Sequence, residues 1–264
     1  MSQLRNGAIL SYVNIGLSNI IGLVLTPFVI SSLGDSEYGL YTLLGSIIGY
    51  LSILDLGLNN SIIRYVSRYR ALRDKEGEKN FLATTFIIYG IISLVIIMVG
   101  VVIYFNLPAI FDKSLTDIQL LQAEKMFVIL IFNLSITLPG GAFTAICNAY
   151  EKFVFPRFLK IVKYLSRAAL FFSFLLLFPY AITLVWIDTI LNIIVILISI
   201  YYVFNNLQVK VRLSDWNIGL VRDIFSYSVW IFLAAIVMRL QWNAGQMVLG
   251  VSEDTVAVAI FGVG

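Results

Sequence analysis

Arg239, Asn243 and Gln246 stand four and three residues apart inside a long apolar stretch, with Trp242 beside them. On a helix these three side chains share one face. A guanidinium in hydrocarbon costs about 3 kcal/mol or more unless it is paired or hydrated. This face therefore either closes a buried ion pair, with Asp55 or Asp188 as the carboxylate, or lines a wet path. The same spacing recurs in other apolar stretches. Asn133, Thr137, Gly140/Gly141, Thr144 and Asn148 form one face, and Ser11, Asn14, Ser18 and Gly22 another. Ser52, Asp55 and Asn59 follow Tyr41 and Gly45, and Asp188 and Asn192 are an i,i+4 pair. Such stripes have two readings. Small and hydroxyl residues let helices approach closely, with amides as glue. Alternatively, polar groups kept inside a membrane bundle mark a substrate path. Asn133 and Asn148 together exceed what packing requires. Asp55, in Leu54-Asp55-Leu56-Gly57-Leu58, also has a purely structural reading, as a cap where the helix adjusts before the cytoplasmic surface.

The elements that must position these groups follow from composition. Of 264 residues, 60% are hydrophobic and 12% charged, against roughly 45–50% and 25% in a soluble domain. Mean hydropathy is +0.94. A soluble globule cannot bury that much apolar surface, and a disordered chain would not carry it. The sequence predicts an all-α, polytopic transmembrane bundle. Seven apolar segments, at 8–31, 38–63, 81–106, 126–149, 161–178, 181–204 and 224–250, are each long enough to cross a bilayer as a helix of about 20 residues. None alternates with the period of two that marks a membrane β-strand. The first is too long and too polar for a signal-peptide core of about 7–15 residues, so it is expected to be a retained helix. The segment at 161–178 has a basic, amphipathic start. Pro27 is expected to kink the first span, and Pro139-Gly140-Gly141 to interrupt the fourth.

Charge gives the orientation. The chain has 18 Lys and Arg. The 64–80 loop holds Arg64, Arg68, Arg70, Arg73, Lys75 and Lys79. The 151–167 region holds Lys152, Arg157, Lys160, Lys163 and Arg167, and the 205–223 loop holds Lys210, Arg212 and Arg222. With Arg5 these lie on one side, against Lys113 and Lys125 on the other. The bias puts the N-terminus and the even-numbered loops in the cytoplasm. The basic loops serve as topology signals that also touch anionic lipid, or as a funnel for an anionic substrate entering from the cytoplasm.

Several chemistries are excluded. The chain has no His and a single Cys, Cys147, which leaves almost nothing for soft metals, haem or a Cys/His nucleophile. No Walker A run, GxSxG or HExxH occurs. The acidic clusters Asp74, Glu76, Glu78 and Asp112, Asp117, Glu124 lie in solvated loops without an apolar pocket to tune them. A helical bundle with internal polar stripes and no active site reads as a secondary transporter or flippase rather than an enzyme.

Three stretches carry a family resemblance. Asn14-Ile15-Gly16-Leu17 runs through Thr26-Pro27-Phe28-Val29 to Leu33-Gly34-Asp35-Ser36-Glu37-Tyr38-Gly39-Leu40-Tyr41. Asp55-Leu56-Gly57-Leu58 is followed by Ile63-Arg64-Tyr65-Val66-Ser67. Gln246-Met247-Val248-Leu249-Gly250 is followed by Thr255-Val256-Ala257-Val258-Ala259. In that order they resemble bacterial polysaccharide-unit (Wzx-like) flippases of the multidrug/oligosaccharidyl-lipid/polysaccharide (MOP) exporter superfamily. The resemblance implies two six-helix lobes around a central cavity, with residues 1–204 as the first lobe, 205–223 as the cytoplasmic interlobe linker, and 224–264 as the seventh span and the start of the eighth, where the chain looks truncated. An amphipathic piece, Trp216 to Phe225, is expected to lie along the inner surface. The implied activity is alternating-access flipping of a polyprenyl-pyrophosphate-linked glycan across the bacterial inner membrane, for O-antigen, capsule or exopolysaccharide synthesis. Arg239, Arg64, Lys160 and Lys163 would hold the pyrophosphate. Asn14, Asn133, Asn148, Asn243 and Gln246 would contact sugar hydroxyls, with Ser18, Asp55, Asn59 and Thr137 completing the polar lining. No cofactor, metal or nucleic acid is implied. The polysaccharide polymerase and chain-length machinery are expected partners. The alternatives are a multidrug antiporter, which needs a carboxylate such as Asp55 or Asp188 in a first-lobe pocket, and a glycan polymerase, which needs a large outer loop with Arg or His.

Overall fold

The structure, a computed structural model, describes residues 2–111, 114–216 and 218–252, excluding the side chains of 235, 239–247 and 250–252. The described residues are helical with short turns. Helix α1 spans Ser2–Leu33 and α2 Asp35–Leu51, followed by a 3-10 turn at Ser52–Asp55. Then come α3 (Leu58–Ala71), α4 (Lys75–Phe111), α5 (Asp117–Ala149), α6 (Val154–Leu175), α7 (Ala181–Tyr201) and α8 (Ile218–Ser252). A π turn at Tyr202–Asn206 extends α7.

Six of these units are long and apolar enough to cross a membrane: α1, α2 with α3, α4, α5, α7 with its π turn, and α8. The chain is a multi-pass membrane protein. At 22 residues, α6 is about 33 Å long, enough for a hydrocarbon core of about 30 Å. It falls short in composition because Arg157, Lys160, Lys163 and Arg167 lie along it. Arg157 and Lys160 were expected before the span at 161–178, and Lys163 and Arg167 in its basic start. The helix begins at Val154, so the basic region is helical, and four charges on a helix packed among spans must face inward.

Helix α5 is the hub. It packs against α2, α3, α4 and α7, while α6 lies between α1 and α7. Two crossings rest on glycine. A Cβ on Gly140 would stand 2.6 Å from Ile196 of α7, and one on Gly100 2.8 Å from Ile131 of α5. The main core joins Leu40, Leu44, Ile62, Phe81, Tyr89 and Phe127 around α5; a smaller one joins Leu25, Val29, Phe171 and Leu184. Large apolar side chains elsewhere, such as Leu23, Val102, Phe105 and Trp230, stand exposed on the outside of the bundle, as lipid contact requires.

The chain interrupts its spans where the prolines do not. Pro27, Pro108 and Pro139 all lie inside unbroken helices. A proline removes one hydrogen bond, which neighbouring helices and local adjustments absorb. The break falls instead in the second span. Leu56 (φ 52°) and Gly57 (φ 72°) are both left-handed and separate the 3-10 turn from α3. Asp55 Oδ1 accepts from Tyr89 Oη–H at 3.1 Å and from Asn59 Nδ2 at 3.2 Å. A Cβ at Gly57 would meet Ile231 of α8 at 2.8 Å.

The Gly34-Asp35-Ser36-Glu37 turn has an organising role at the opposite end. The amide of Ala181 at the start of α7 donates to Glu37 Oε2 at 2.8 Å. Gln119, in the capping box of α5, reaches Ser36 Oγ at 2.6 Å. One turn thus ties together the starts of α2, α5 and α7, satisfying donors that hydrocarbon could not. The amphipathic piece from Trp216 to Phe225 is helical from Ile218, where α8 begins, and runs on into that helix without a break.

Candidate functional site

The cations of α6 recur at steps of three, three and four, which places them on one face over about 15 Å of helix. That face meets the polar stripes of α1, α2, α5 and α7 in three adjoining clefts. The first, of about 330 Å³, is lined by Ser11, Asn14 and Ser18 of α1, Thr144 and Asn148 of α5, and Arg157 and Lys160 of α6. The second, of about 270 Å³, is lined by Tyr41, Asn133, Lys163, Tyr164, Arg167, Asp188 and Asn192. The third, of about 160 Å³, shares Ser18 with the first and Tyr41, Tyr164 and Arg167 with the second, and adds Gly22, Thr26 and Tyr38.

Each cation is held differently. Arg157 donates through Nε to Ser11 and through Nη1 to the Phe153 carbonyl at 2.8 Å. Its own carbonyl accepts from Asn14 Nδ2 at 3.0 Å. Lys160 is exposed and lies 5.5 Å from the Tyr164 ring centroid. Lys163 donates to Asn192 Oδ1, and Asn192 Nδ2 donates to Asn133 Oδ1 at 2.9 Å. Arg167 grips Asp188 with two contacts, Nε to Oδ1 at 2.6 Å and Nη2 to Oδ2 at 3.1 Å. Tyr41 closes that group by donating to Asp188 Oδ2 at 3.2 Å. The clefts thus carry four cations against one carboxylate. In addition, Oδ1 of Asn14 and Oδ1 of Asn148 are buried with no hydrogen-bond partner among the described residues.

The expected residues divide into groups. Asn14, Ser18, Asn133, Asn148, Lys160 and Lys163 come together at the clefts. Thr137 stays on α5 and donates to the Leu134 carbonyl at 3.2 Å. Asp55 and Asn59 belong to the helix break. Arg64 is exposed on α3, its guanidinium 4.4 Å from the Tyr227 ring centroid of α8, outside the residues lining these clefts. Arg239, Asn243 and Gln246 lie in α8, and their side chains are outside the described residues. Asp188, considered as a partner for Arg239, is bound by Arg167.

Sequence reasoning missed Arg157 and Arg167. It counted both only toward the charge bias of the 151–167 region, although their spacing with Lys160 and Lys163 is itself a helical stripe. It also missed Tyr41 as a ligand of Asp188, although Tyr38 and Tyr41 are three apart at the start of α2.

Known proteins resemble the chain in both sequence and fold. Over 157 residues it is 26% identical to the "Putative O-antigen transporter" of Shigella flexneri, covering 58% of this chain and 35% of that protein. A MOP superfamily transporter from Pyrococcus furiosus superposes with a TM-score of 0.72 at 14% identity, over 94% of this chain and 54% of that one. The inward-facing structure of a multidrug resistance MATE family transporter of the MOP superfamily gives 0.74 at 16% identity, over 94% and 56%. The fold is therefore that of MOP transporters, and the chain spans about a third to a half of the length of these relatives. The family described as "Polysaccharide biosynthesis protein" matches residues 4–264, and with that match over nearly the whole chain, this protein belongs to that polysaccharide biosynthesis family.

Proposed function

We propose that this chain forms the first part of an exporter that flips polyprenyl-pyrophosphate-linked oligosaccharide units from the cytoplasmic to the outer leaflet of a bacterial inner membrane. Residues 1–204 act as the first lobe, 205–223 as the linker and 224–264 as the beginning of the second lobe, with the N-terminus in the cytoplasm. The observation that carries this reading is the α6 stripe of Arg157, Lys160, Lys163 and Arg167 set in clefts lined by amides and hydroxyls.

A pyrophosphate needs several cationic donors within one small volume, and Arg and Lys supply charge-assisted bonds of about twice the ordinary strength. The least encumbered cations, Lys160 and Lys163, meet it first. Arg157 and Arg167, held by Ser11 and Asp188, keep the stripe oriented. The amide oxygens of Asn14 and Asn148, which have no partner among the described residues, are acceptors suited to sugar hydroxyls, which donate. Arg239, Asn243 and Gln246 on α8 would approach from the other lobe, and rocking of the lobes would release the glycan outward while the polyprenyl tail stays in lipid. Substrate binding of this kind requires no catalytic group, and the polymerase and chain-length machinery would act on the product.

The test is made on the intact gene. Its deletion should leave the lipid-linked glycan on the cytoplasmic leaflet, and the wild-type gene should clear it. A Lys160→Met/Lys163→Met variant that reaches the membrane should fail to clear it. Normal export by that variant would remove the pyrophosphate assignment. Normal surface glycan after deletion would point instead to a drug or other small-molecule antiporter.

A further inference from the structure

A second concentration of positive charge lies away from the α6 clefts, where α3, α4 and the segment after α7 meet. The cleft there measures about 590 Å³, within the range of about 300–1,000 Å³ typical of small-ligand sites. Arg70, Arg73, Lys75, Lys79 and Lys210 line it, with Glu78 as the one carboxylate. Glu78 is buried, and its Oε1 accepts from Tyr150 Oη–H at 2.5 Å. Lys79 pairs with Glu76 at 2.6 Å. Arg73, Lys75 and Lys210 form no ion pair among the described residues.

The cleft is built rather than a loose basic loop. Arg70 donates to the Ala149 carbonyl at 2.7 Å and lies 4.0 Å from the Tyr150 ring centroid, so its guanidinium is fixed. Arg73 closes the α3–α4 turn in a left-handed conformation, φ 55°. The segment after α7 forms the far wall and is pinned to α4. Asn80 Oδ1 accepts from the amides of Ser214 and Asp215 at 2.9 and 3.1 Å, and Asn80 Nδ2 donates to the Asp215 carbonyl at 2.9 Å.

We infer that this cleft is a binding site for the phosphate headgroup of an anionic phospholipid. Its walls are the ends of membrane-spanning helices, so a lipid phosphate can reach it with the acyl chains still in the bilayer. Basic pockets at the cytoplasmic ends of spans bind such headgroups. A bound headgroup would bridge Arg73 and Lys75 on the α3–α4 turn to Lys210 on the segment after α7, and so tie the proposed interlobe linker to the first lobe. The inference rests on the proposed function only for which end faces the cytoplasm, and its test reads lipid binding rather than transport.

The purified full chain is placed in phosphatidylcholine nanodiscs with graded phosphatidylglycerol, and retained lipid is measured by native mass spectrometry. Arg73→Gln/Lys210→Gln should weaken phosphatidylglycerol retention about thirtyfold, the factor expected for two cations near an anionic surface. Arg68→Gln/Arg222→Gln removes the same charge outside the cleft and should leave retention unchanged. Should Arg73→Gln disturb its left-handed turn, seen as lower thermal stability in phosphatidylcholine alone, Lys75→Gln/Lys210→Gln reads the same site. Equal losses in the cleft and control pairs, or no preference for phosphatidylglycerol, would overturn the site. Displacement of the lipid by millimolar inorganic phosphate would overturn the lipid as its ligand and assign the cleft to a soluble phosphate compound.

Discussion

Removing the carboxylate of Asp188 tests whether the α6 stripe is held as the geometry indicates. Asp188 receives both arms of Arg167, at 2.6 and 3.1 Å, and the hydroxyl of Tyr41 at 3.2 Å. The side chains are 29% exposed for Arg167 and 21% for Asp188. Losing one partner of a fully buried pair costs about 3–5 kcal/mol, while an exposed pair is worth about 0–1 kcal/mol. This intermediate site should fall between, at about 2 kcal/mol for Asp188→Asn, because the guanidinium is left without a counter-charge among apolar helices. Arg167→Met should cost a similar amount for the converse reason. The double variant Arg167→Met/Asp188→Leu removes both charges, so neither is stranded, and it should be more stable than either single variant. Unfolding of the purified protein in detergent, followed by tryptophan fluorescence, supplies the cycle. If the two single costs add to within about 0.5 kcal/mol, the pair is not energetically coupled and the account of α6 is wrong. A coupled pair has a functional corollary: the double variant keeps the fold but lacks a cation of the stripe, so it should export poorly while remaining stable.

Three further outcomes follow. Gly140→Val places atoms where Ile196 already stands 2.6 Å from the Cβ position; overpacking of about 1–3 kcal/mol should appear in the same unfolding assay, and Ile196→Ala in the same chain should recover most of it. Tyr150→Phe removes the donor to Glu78 and should cost about 1–3 kcal/mol. Burial and the neighbouring Glu78 raise the Tyr150 hydroxyl above its ordinary range, so the folded state holds that proton more tightly. The bond's contribution is then full below the unfolded value of about 10 and is lost only as pH rises further, making the Tyr150→Phe cost constant between about pH 5 and 9; a cost that varies in that window would exclude this hydrogen bond as its origin. Leu72→Cys offers an exposed thiol in a chain whose own Cys147 is buried, and a membrane-impermeant maleimide should label it only after the cells are opened; labelling of intact cells would reverse the orientation.

The membrane class and most of the helices were legible because they depend on composition over about 20 residues at a time, which needs no partner. The α6 stripe was legible only in part. Its charges moved the expected start of the helix from Val154 to about residue 161, because a sequence carries no record of which neighbours will bury a cation's stem and accept its hydrogen bonds. Asn133 and Asn192 were each flagged on their own helices, but their mutual bond and the link to Lys163 bring together residues 29 to 59 positions apart. The second span's break was half visible. Asp55 and Gly57 marked an irregularity, while the prolines, which are stronger punctuation in water, were absorbed into α1 and α5.

The amino-acid sequence by itself determined that the chain is an all-α membrane protein, where most of its helices run, and which side chains are polar enough to need an explanation. Those properties are local: each residue's transfer free energy and spacing act on the helix that carries it. Only the tertiary structure decided which polar faces meet. It turned four basic residues into one stripe, gave Asp188 to Arg167, left the amide oxygens of Asn14 and Asn148 without donors among the described residues, and folded the segment after α7 over the α3–α4 turn. Packing at glycine crossings such as Gly140 on Ile196 sets how closely the helices approach, and that separation determines which charges can share a cleft.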